Sequence, residues 1–274
     1  MSRAGWRVAA ASVAGAAHVR LGLGCQDAHL WRVLDGGAAA APVLIAVLAD
    51  GAGSASRAEA GARLACAFAL GAVDSLLAGG AGPRDIDRGR VETWLAGLGA
   101  ETARLAASEG LAPRDFASTL LTAVVAEDCA AFFQVGDGAM VVGAEPPGQG
   151  YDCVFWPAHD EYENVTFFAG EPHAAEHLQW ALVDRRIEEL ALFSDGLQRL
   201  ALDYAGQRAY VPFFQSMLSP LHAAGAAGAA VSGADPDGLS GSLAAFLDSP
   251  RVNDRTDDDK TLMLAVRAAG QPDA

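Results

Sequence analysis

A chain of 274 residues holds one large domain or two small ones and has ample length for a sizeable core. Hydrophobic residues make up 51% of it but aromatics only 7%, so it reads as a globular protein whose helix and sheet contacts are made by small side chains. A formal net charge of −15 argues against a broad grip on nucleic acid or on an anionic membrane, and leaves any phosphorylated ligand dependent on local positive charge such as a bound metal.

The first residues, MSRAGWRVAAASVAGAAHV, place Arg3 and Arg7 before a small-residue run but lack the Leu and Phe density of a secretory h-region, so a cytoplasmic chain is expected. Residues 6 to 20 read as an extended segment ending near His18 and Arg20. Pro42 to Asp50, PVLIAVLAD, is a short continuous apolar run and reads as a buried strand. A small-residue loop from Gly51 to Ser56 leads into a long amphipathic helix, SRAEAGARLACAFALGAVDSLL, with Ala60, Leu64, Phe68 and Leu76 on one face and Ser54 or Ser56 as N-cap. GGAGPRD then breaks the chain before a second helix built around Val91, Trp94, Leu95, Leu98 and Leu105. Beyond Pro113, Leu120 to Ala126, Ala130 to Val135, Ala139 to Gly143 and Tyr151 to Trp156 read as consecutive strands of an antiparallel meander. After a polar middle piece, residues 157 to 180, the segment RIEELALFSDG gives a strand ending at Asp195-Gly196, followed by a helix from Tyr210 to about Leu221. HAAGAAGAAVSGADPDGLSG reads as a loop, Leu239 to Leu247 as a helix, DRTDDDK as an acidic turn and TLMLAVRA as a last strand.

Cys25, Cys66, Cys129 and Cys153 are scattered without a C-x-x-C pair, which suits reduced thiols rather than a disulfide frame or a zinc site. No run reaches the roughly 18 apolar residues of a membrane span. With no repeat and no strong linker, residues 1–274 are expected to form one domain of mixed strands and helices, with its core at about 6–268.

One arrangement recurs: an apolar strand meets an aspartate at its edge, usually with glycine beside it. Asp50-Gly51 follows VLIAVLA, Asp137 sits in QVGDGAMVV, Asp195-Gly196 follows LALFS, and Asp257, Asp258 and Asp259 precede TLMLAV. Rigid strands can hold such carboxylates at one end of a sheet, where they repel one another unless hard divalent cations neutralise them. Such a site suits hydrolysis of a phosphoester. Any single Asp-Gly is most simply a turn, and spacing alone does not show that the four converge.

Gln26-Asp27-Ala28, Ala49-Asp50-Gly51-Ala52-Gly53 with Glu59, Ser118-Thr119, Val135-Gly136-Asp137-Gly138, Ser194-Asp195-Gly196 and Asp258-Asp259-Lys260-Thr261, in that order, resemble the motifs of the metal-dependent PP2C (PPM) protein phosphatases. The resemblance runs from about His18 to Val266 and is closest to a divergent bacterial branch. It implies an α+β fold, an α-β-β-α sandwich of two antiparallel sheets flanked by helices, with Mn²⁺ or Mg²⁺ at one edge. It also implies two ions, with a third in bacterial members. By position Asp50 corresponds to the ligand shared by both ions, Gly51 offers its backbone carbonyl, and Asp195 and Asp258 are the remaining carboxylates. Asp258 is chosen over its neighbours because the family pattern places the ligand three residues before the threonine, here Thr261. Asp137 corresponds to the third-metal aspartate, and Asp27 to the acid that anchors metal-bound water.

The sequence also departs from the family pattern. Gln26 replaces a frequent glutamate, Ala52 stands where animal members have a histidine proposed as general acid, and Gly138 replaces a serine. No arginine occupies the usual phosphate-binding place, which leaves His18 and Arg20 as candidates for the substrate phosphate. The bland reading of His18 is a histidine bonded to backbone at a strand end. Glu59 reads as a supporting helix residue, Ser118 and Thr119 as the start of a core strand near the metal edge, and Glu161, Glu163 and Asn164 as substrate or partner contacts.

The expected activity is hydrolysis of phosphoserine or phosphothreonine in proteins by in-line attack of metal-activated water at a binuclear centre, opposing a kinase in a signalling system. The alternative is a weak or silent regulatory module of the same fold that binds a phosphoprotein or partner.

Overall fold

The computed structural model of the chain describes residues 5–35, 41–143, 146–157, 166–224 and 238–268. Its strands are β1 (Trp6–Val13), β2 (Ala28–Leu34), β3 (Val43–Ala49), β4 (Leu120–Val125), β5 (Ala130–Val135), β6 (Ala139–Gly143), β7 (Tyr151–Cys153), β8 (Gln179–Val183), β9 (Glu189–Phe193), β10 (Leu202–Asp203), β11 (Arg208–Ala209) and β12 (Lys260–Arg267). The helices are α1 (Ala16–Arg20), α2 (Ala58–Ala78), α3 (Arg88–Glu109), α4 (Gln198–Ala201), α5 (Val211–Ala223), α6 (Leu239–Leu247) and α7 (Pro250–Asn253).

Side-chain alternation along the strands dictates the layers. In β3, Leu44, Ala46 and Leu48 face one way and Ile45, Val47 and Ala49 the other, and all six are buried. A strand apolar on both faces needs a covering layer on each side. The first set packs with Leu121, Ala123 and Phe132 against Val8, Ala10, Met140, Leu190, Leu192 and Met263, closing two sheets face to face. One sheet has the order β1-β12-β9-β6-β7 and the other β2-β3-β4-β5-β8, with antiparallel pairing throughout. Helices α2 and α3 cover the outer face of the second sheet, and α5 and α6 that of the first. The result is the α-β-β-α sandwich that the resemblance implied.

Several expectations need correction. The extended reading of residues 6 to 20 holds only to Val13, because Gly15 presses on the acidic turn and the chain enters α1. A Cβ on Gly15 would come within 2.3 Å of the Asp258 backbone, and Ala17 N–H donates to Asp257 O. The meander also divides. β4 and β5 pair with each other, but β6 pairs with β9 and β7 in the opposite sheet. Gly136, at φ 115°, makes that crossing possible, since a side chain there would be strained and would also strike Thr119. The last strand of that series ends at Cys153 rather than Trp156. β2 and β8 had no strong apolar signal, because every residue of each is half-buried apart from Leu30, which is exposed.

On α2 the buried face is Ala58, Gly61, Ala62, Ala65, Cys66, Ala69 and Val73, while Leu64, Phe68 and Leu76 lie at its flanks. The small residues let the helix lie close to the sheet. A Cβ on Gly61 would meet Phe116 O at 2.1 Å. Neither Ser54 nor Ser56 caps this helix; Arg57 is its N-cap residue, and Ser56 Oγ donates to Asp115. By length and mean hydropathy α2 resembles a membrane-spanning helix, but its small-residue face packs on the second sheet as a core helix. The expected 222–241 loop gives way to the end of α5 and the start of α6, and its centre lies outside the described residues.

Phe132, fully buried where the two sheets meet, tests this shared core. Phe132→Ala is expected to cost about 3–5 kcal/mol in urea unfolding, whereas an independent outer layer would lose far less.

Candidate metal centre

Strand register brings the aspartates together. Ala28 pairs with Ala49, so Asp27, one residue before the first, stands beside Asp50, one residue after the second. In the other sheet Phe193 is flanked by Ala139 and Leu262, which draws Asp137, Asp195 and Asp258 to the same edge. The result is an open file in which the Asp50 carboxyl lies within hydrogen-bonding reach of both Asp27 and Asp195, and Asp137 and Asp258 act electrostatically on Asp195. Among the described residues, no three His, Cys, Asp or Glu side chains are grouped closely enough to hold a metal ion as they stand.

Hydrogen bonds fix Asp27 and Asp137 through their carboxylates and Asp50 through its backbone. Ser194 Oγ donates to Asp27 Oδ2 at 2.8 Å and accepts from Thr261 N–H at 3.0 Å, tying β2, β9 and β12 together. Thr119 clamps Asp50 twice: its Oγ1 accepts from Asp50 N–H at 2.9 Å and its own N–H donates to Asp50 O at 2.8 Å. Gly51 bridges Ser118 and is buried against Ala58, where a Cβ would approach to 2.7 Å. Thr166 Oγ1 donates to Asp137 Oδ2 at 2.6 Å, and Gln198 Nε2 donates to Asp137 O. Gly196 allows the Asp195 loop to seat on the acidic turn, because a Cβ there would meet Asp259 O at 2.1 Å.

Asp258 and Asp259 have different duties. Asp259 is buried, and its Oδ1 takes Gly15 N–H at 2.6 Å and His18 Nδ1 at 2.8 Å, while its Oδ2 takes Gln26 N–H at 2.5 Å. Those contacts engage both of its oxygens. Asp258 is exposed, accepts from Asp259 N–H through Oδ1, and is the member of the pair that faces Asp195.

Burial and mutual repulsion make this edge electrostatically costly. Burial first, moderated by hydrogen bonds, pushes Asp27 up to about 6. Burial, then Asp137 and Asp258, pushes Asp195 up to about 7. Asp50 is raised well above its ordinary value by burial and by Asp27 and Asp195. Asp27 Oδ1, Asp195 Oδ1 and Gln26 Oε1 are buried without a hydrogen-bond partner. Buried oxygens left unsatisfied beside repelling carboxylates fit a hard divalent cation, which takes oxygen ligands and supplies the missing charge. Burial, with help from Asp27, also raises the Cys25 and Cys66 thiols far above their ordinary value, so they offer no competing thiolate.

Of the candidate phosphate residues, His18 is bonded to a side chain, that of Asp259, rather than to backbone, and Arg20 pairs with Asp257 at 3.6 Å with both partners exposed. Both therefore border the acidic turn rather than the Asp27–Asp50 pair. Glu59 pairs with Arg63 on α2. Ala52 is buried in a small cluster with Ala55, Ala58 and Ala117, a packed methyl where the family's histidine would stand. Glu161, Glu163 and Asn164 lie outside the described residues.

Sequence reading missed the polar chain behind Asp27: Thr261 Oγ1 donates to Ser12 Oγ at 2.6 Å, and Ser12 Oγ bonds His29 Nδ1 at 2.8 Å. It also missed Arg63, which with Asp27, His29 and Cys66 lines a cleft of about 410 Å³. The available signal was a hydroxyl or imidazole interrupting apolar strands.

The pattern describing the protein phosphatase 2C family matches residues 14–248. The chain is 37% identical over 267 residues to serine/threonine-protein phosphatase 3 of Escherichia coli (strain K12), covering 96% of this chain and 99% of that one. Its fold is similar to that of the serine/threonine phosphatase Stp1 from Staphylococcus aureus, at TM-score 0.57 and 14% identity, with 97% of each chain covered. It is likewise similar to that of RsbX crystallised with magnesium, at TM-score 0.55 and 14% identity, over 98% of this chain and 100% of that one.

Asp27 and Asp195 fold with values near 6 and 7 against an ordinary 3.8, so between those limits the folded state binds more protons than the unfolded one. Their contribution is present below pH 4 and lost as pH rises through 6 to 7. In chelator, the melting temperature is expected to be higher at pH 5 than at pH 8 in the part of the profile these groups control. Added Mn²⁺ should raise it most at pH 8. Asp27→Asn combined with Asp195→Asn should flatten the chelator profile, and a profile unchanged by the pair would contradict the assignment.

Proposed function

The chain belongs to the protein phosphatase 2C family of serine/threonine phosphatases, and from that premise we propose that its acidic edge is a binuclear Mn²⁺ or Mg²⁺ centre hydrolysing phosphoserine and phosphothreonine in proteins. The carrying observation is the convergence of Asp27, Asp50 and Asp195, carboxylates from distant segments, on one edge of the sandwich, with two of their buried oxygens unpartnered. In this reading Asp50, the Gly51 carbonyl, Asp195 and Asp258 would hold two ions, and Asp137 with Asp195 would hold a third.

Bound divalent ions supply charge neutralisation, polarisation of a phosphoryl oxygen and a more acidic water. The protein's own residues supply the positioning. Ser194 fixes one oxygen of Asp27, so Oδ1 has a set direction in which to accept a hydrogen bond from the attacking water. The clamp by Thr119 sets the height of Asp50 on its strand end. In-line hydrolysis forms a bond from water oxygen to phosphorus while the seryl or threonyl oxygen leaves and takes up a proton. The Ala52 methyl cannot give that proton, so substrates with acidic leaving groups, such as aryl phosphates, are favoured.

The same reading assigns phosphoproteins as substrates, places the enzyme opposite a kinase in a cytoplasmic signalling system, and puts the activity in one domain spanning about 6–268.

Purified protein with Mn²⁺ is expected to hydrolyse an aryl phosphate and a phosphothreonine peptide, with chelator abolishing both. Asp50→Asn, Asp195→Asn and Asp258→Asn should each lower kcat/KM by about 10²-fold or more while retaining the wild-type circular dichroism spectrum. Full activity in any of them removes it from the ligand set. If folded wild-type protein binds no Mn²⁺ by calorimetry and turns over neither substrate, the silent regulatory module is the correct reading.

A further inference from the structure

Positive charge is scarce in this chain, and most of it is neutralised locally: Arg32 by Asp74, Arg57 by Glu109, Arg88 by Glu92, and Arg186 by Glu127 and Glu188. Among the described residues, no carboxylate comes within ion-pair distance of Arg199, Arg251 or Arg255. Those three line one cleft of about 1040 Å³ together with Arg208, which pairs with Asp203. Its charged lining is thus four arginines and one aspartate, on a protein whose net charge is −15. The floor is apolar, with Phe246, and Tyr210 stands at its margin 50% exposed.

This cleft adjoins the metal edge. Arg199 lies on α4, four residues after Asp195, and Arg255 lies three residues before Asp258. Tyr204 spans the interval: its hydroxyl donates to Gln198 Oε1, Gln198 in turn holds the Asp137 carbonyl, and the ring meets Trp156 edge-on at 5.6 Å. Burial raises the Tyr204 hydroxyl first, and Asp195, Asp137 and Arg199 all act on it electrostatically, so both the acidic edge and Arg199 lie near it.

A strongly acidic enzyme repels acidic polypeptides over most of its surface, so an attractive cleft beside the chemistry acts as a selector. Its volume is at the top of the range for small-ligand pockets, and its open apolar floor rimmed by separated guanidinium groups suits an extended chain with several carboxylates better than one compact anion. We propose that this cleft docks an acidic, Asp- and Glu-rich segment of the phosphoprotein substrate while the phosphorylated residue occupies the metal edge. The substrate part of the statement rests on the phosphatase reading. The docking part does not.

The test therefore has a binding arm and a kinetic arm. In chelator, fluorescence polarisation of a labelled, unphosphorylated Asp/Glu-rich peptide should show binding that salt weakens and that Arg251→Glu with Arg255→Glu weakens about tenfold or more. A peptide with Asn and Gln in place of the acids should not bind. The charge-matched control Arg90→Glu with Arg104→Glu, on α3 across the sandwich, should retain the binding seen with wild type. With Mn²⁺, a phosphopeptide with acidic flanks should exceed its neutral counterpart in kcat/KM about tenfold, and only the cleft double variant should bring that ratio toward one. Equal binding of both peptides, or an acidic preference that survives charge reversal in the cleft, overturns the proposal. If wild-type protein fails to hydrolyse aryl phosphate, the phosphatase reading falls and the binding arm alone decides docking.

Discussion

Carboxylates crowded out of water cannot all remain charged without a counter-ion, and the site end of this molecule is organised around that constraint. Asp27, Asp50 and Asp195 are presented at strand ends too rigid to let them retreat from one another. Burial and mutual repulsion raise the pKa of all three, so the folded edge favours their protonated forms when no cation is bound. The strain is local, so the rest of the fold must be stable enough to carry it. Two five-stranded sheets with apolar residues on both faces provide that support.

A layer of hydroxyl groups converts this crowding into geometry. Ser194, Thr119 and Thr166 each direct a hydrogen bond at the aspartate they serve or at its backbone. Thr261 extends the same logic outward through Ser12 to His29. Asp259 works in the opposite sense, because both of its oxygens are engaged and it organises loops rather than offering itself to a ligand. Adjacent, chemically identical side chains thus differ in role through the number of donors that reach them.

The legible part of the sequence was whatever had a strong period or a strong break. The apolar runs of β3, β4, β5, β9 and β12 and the long helices α2 and α3 could be read directly, as could the aspartates at strand ends. β2 and β8 could not, because edge strands buried to only half their depth carry mixed residues. The division of the meander at Gly136 was hidden too, since the short Gly136-Asp137-Gly138 turn reads the same whether it folds within one sheet or crosses to another. The small-residue face of α2 was masked by its large apolar neighbours, which a pattern count favours although the sheet accepts the small ones. The arginine cleft is assembled from α4, β11, α7 and the residues that follow, and no local window contains it.

β12 lies inside its sheet, between the edge strand β1 and β9, and the turn that precedes it carries both Asp258 and the Asp259 clamp on Gly15, His18 and Gln26. A nascent chain lacking this strand has a gap between β1 and β9, and its first loop has nothing to grip. Closing so distant a pairing is slow compared with forming α2 or α3. Asp258 therefore joins Asp195 at the acidic edge only once β12 has paired between β1 and β9, so the last strand to be made also closes that edge.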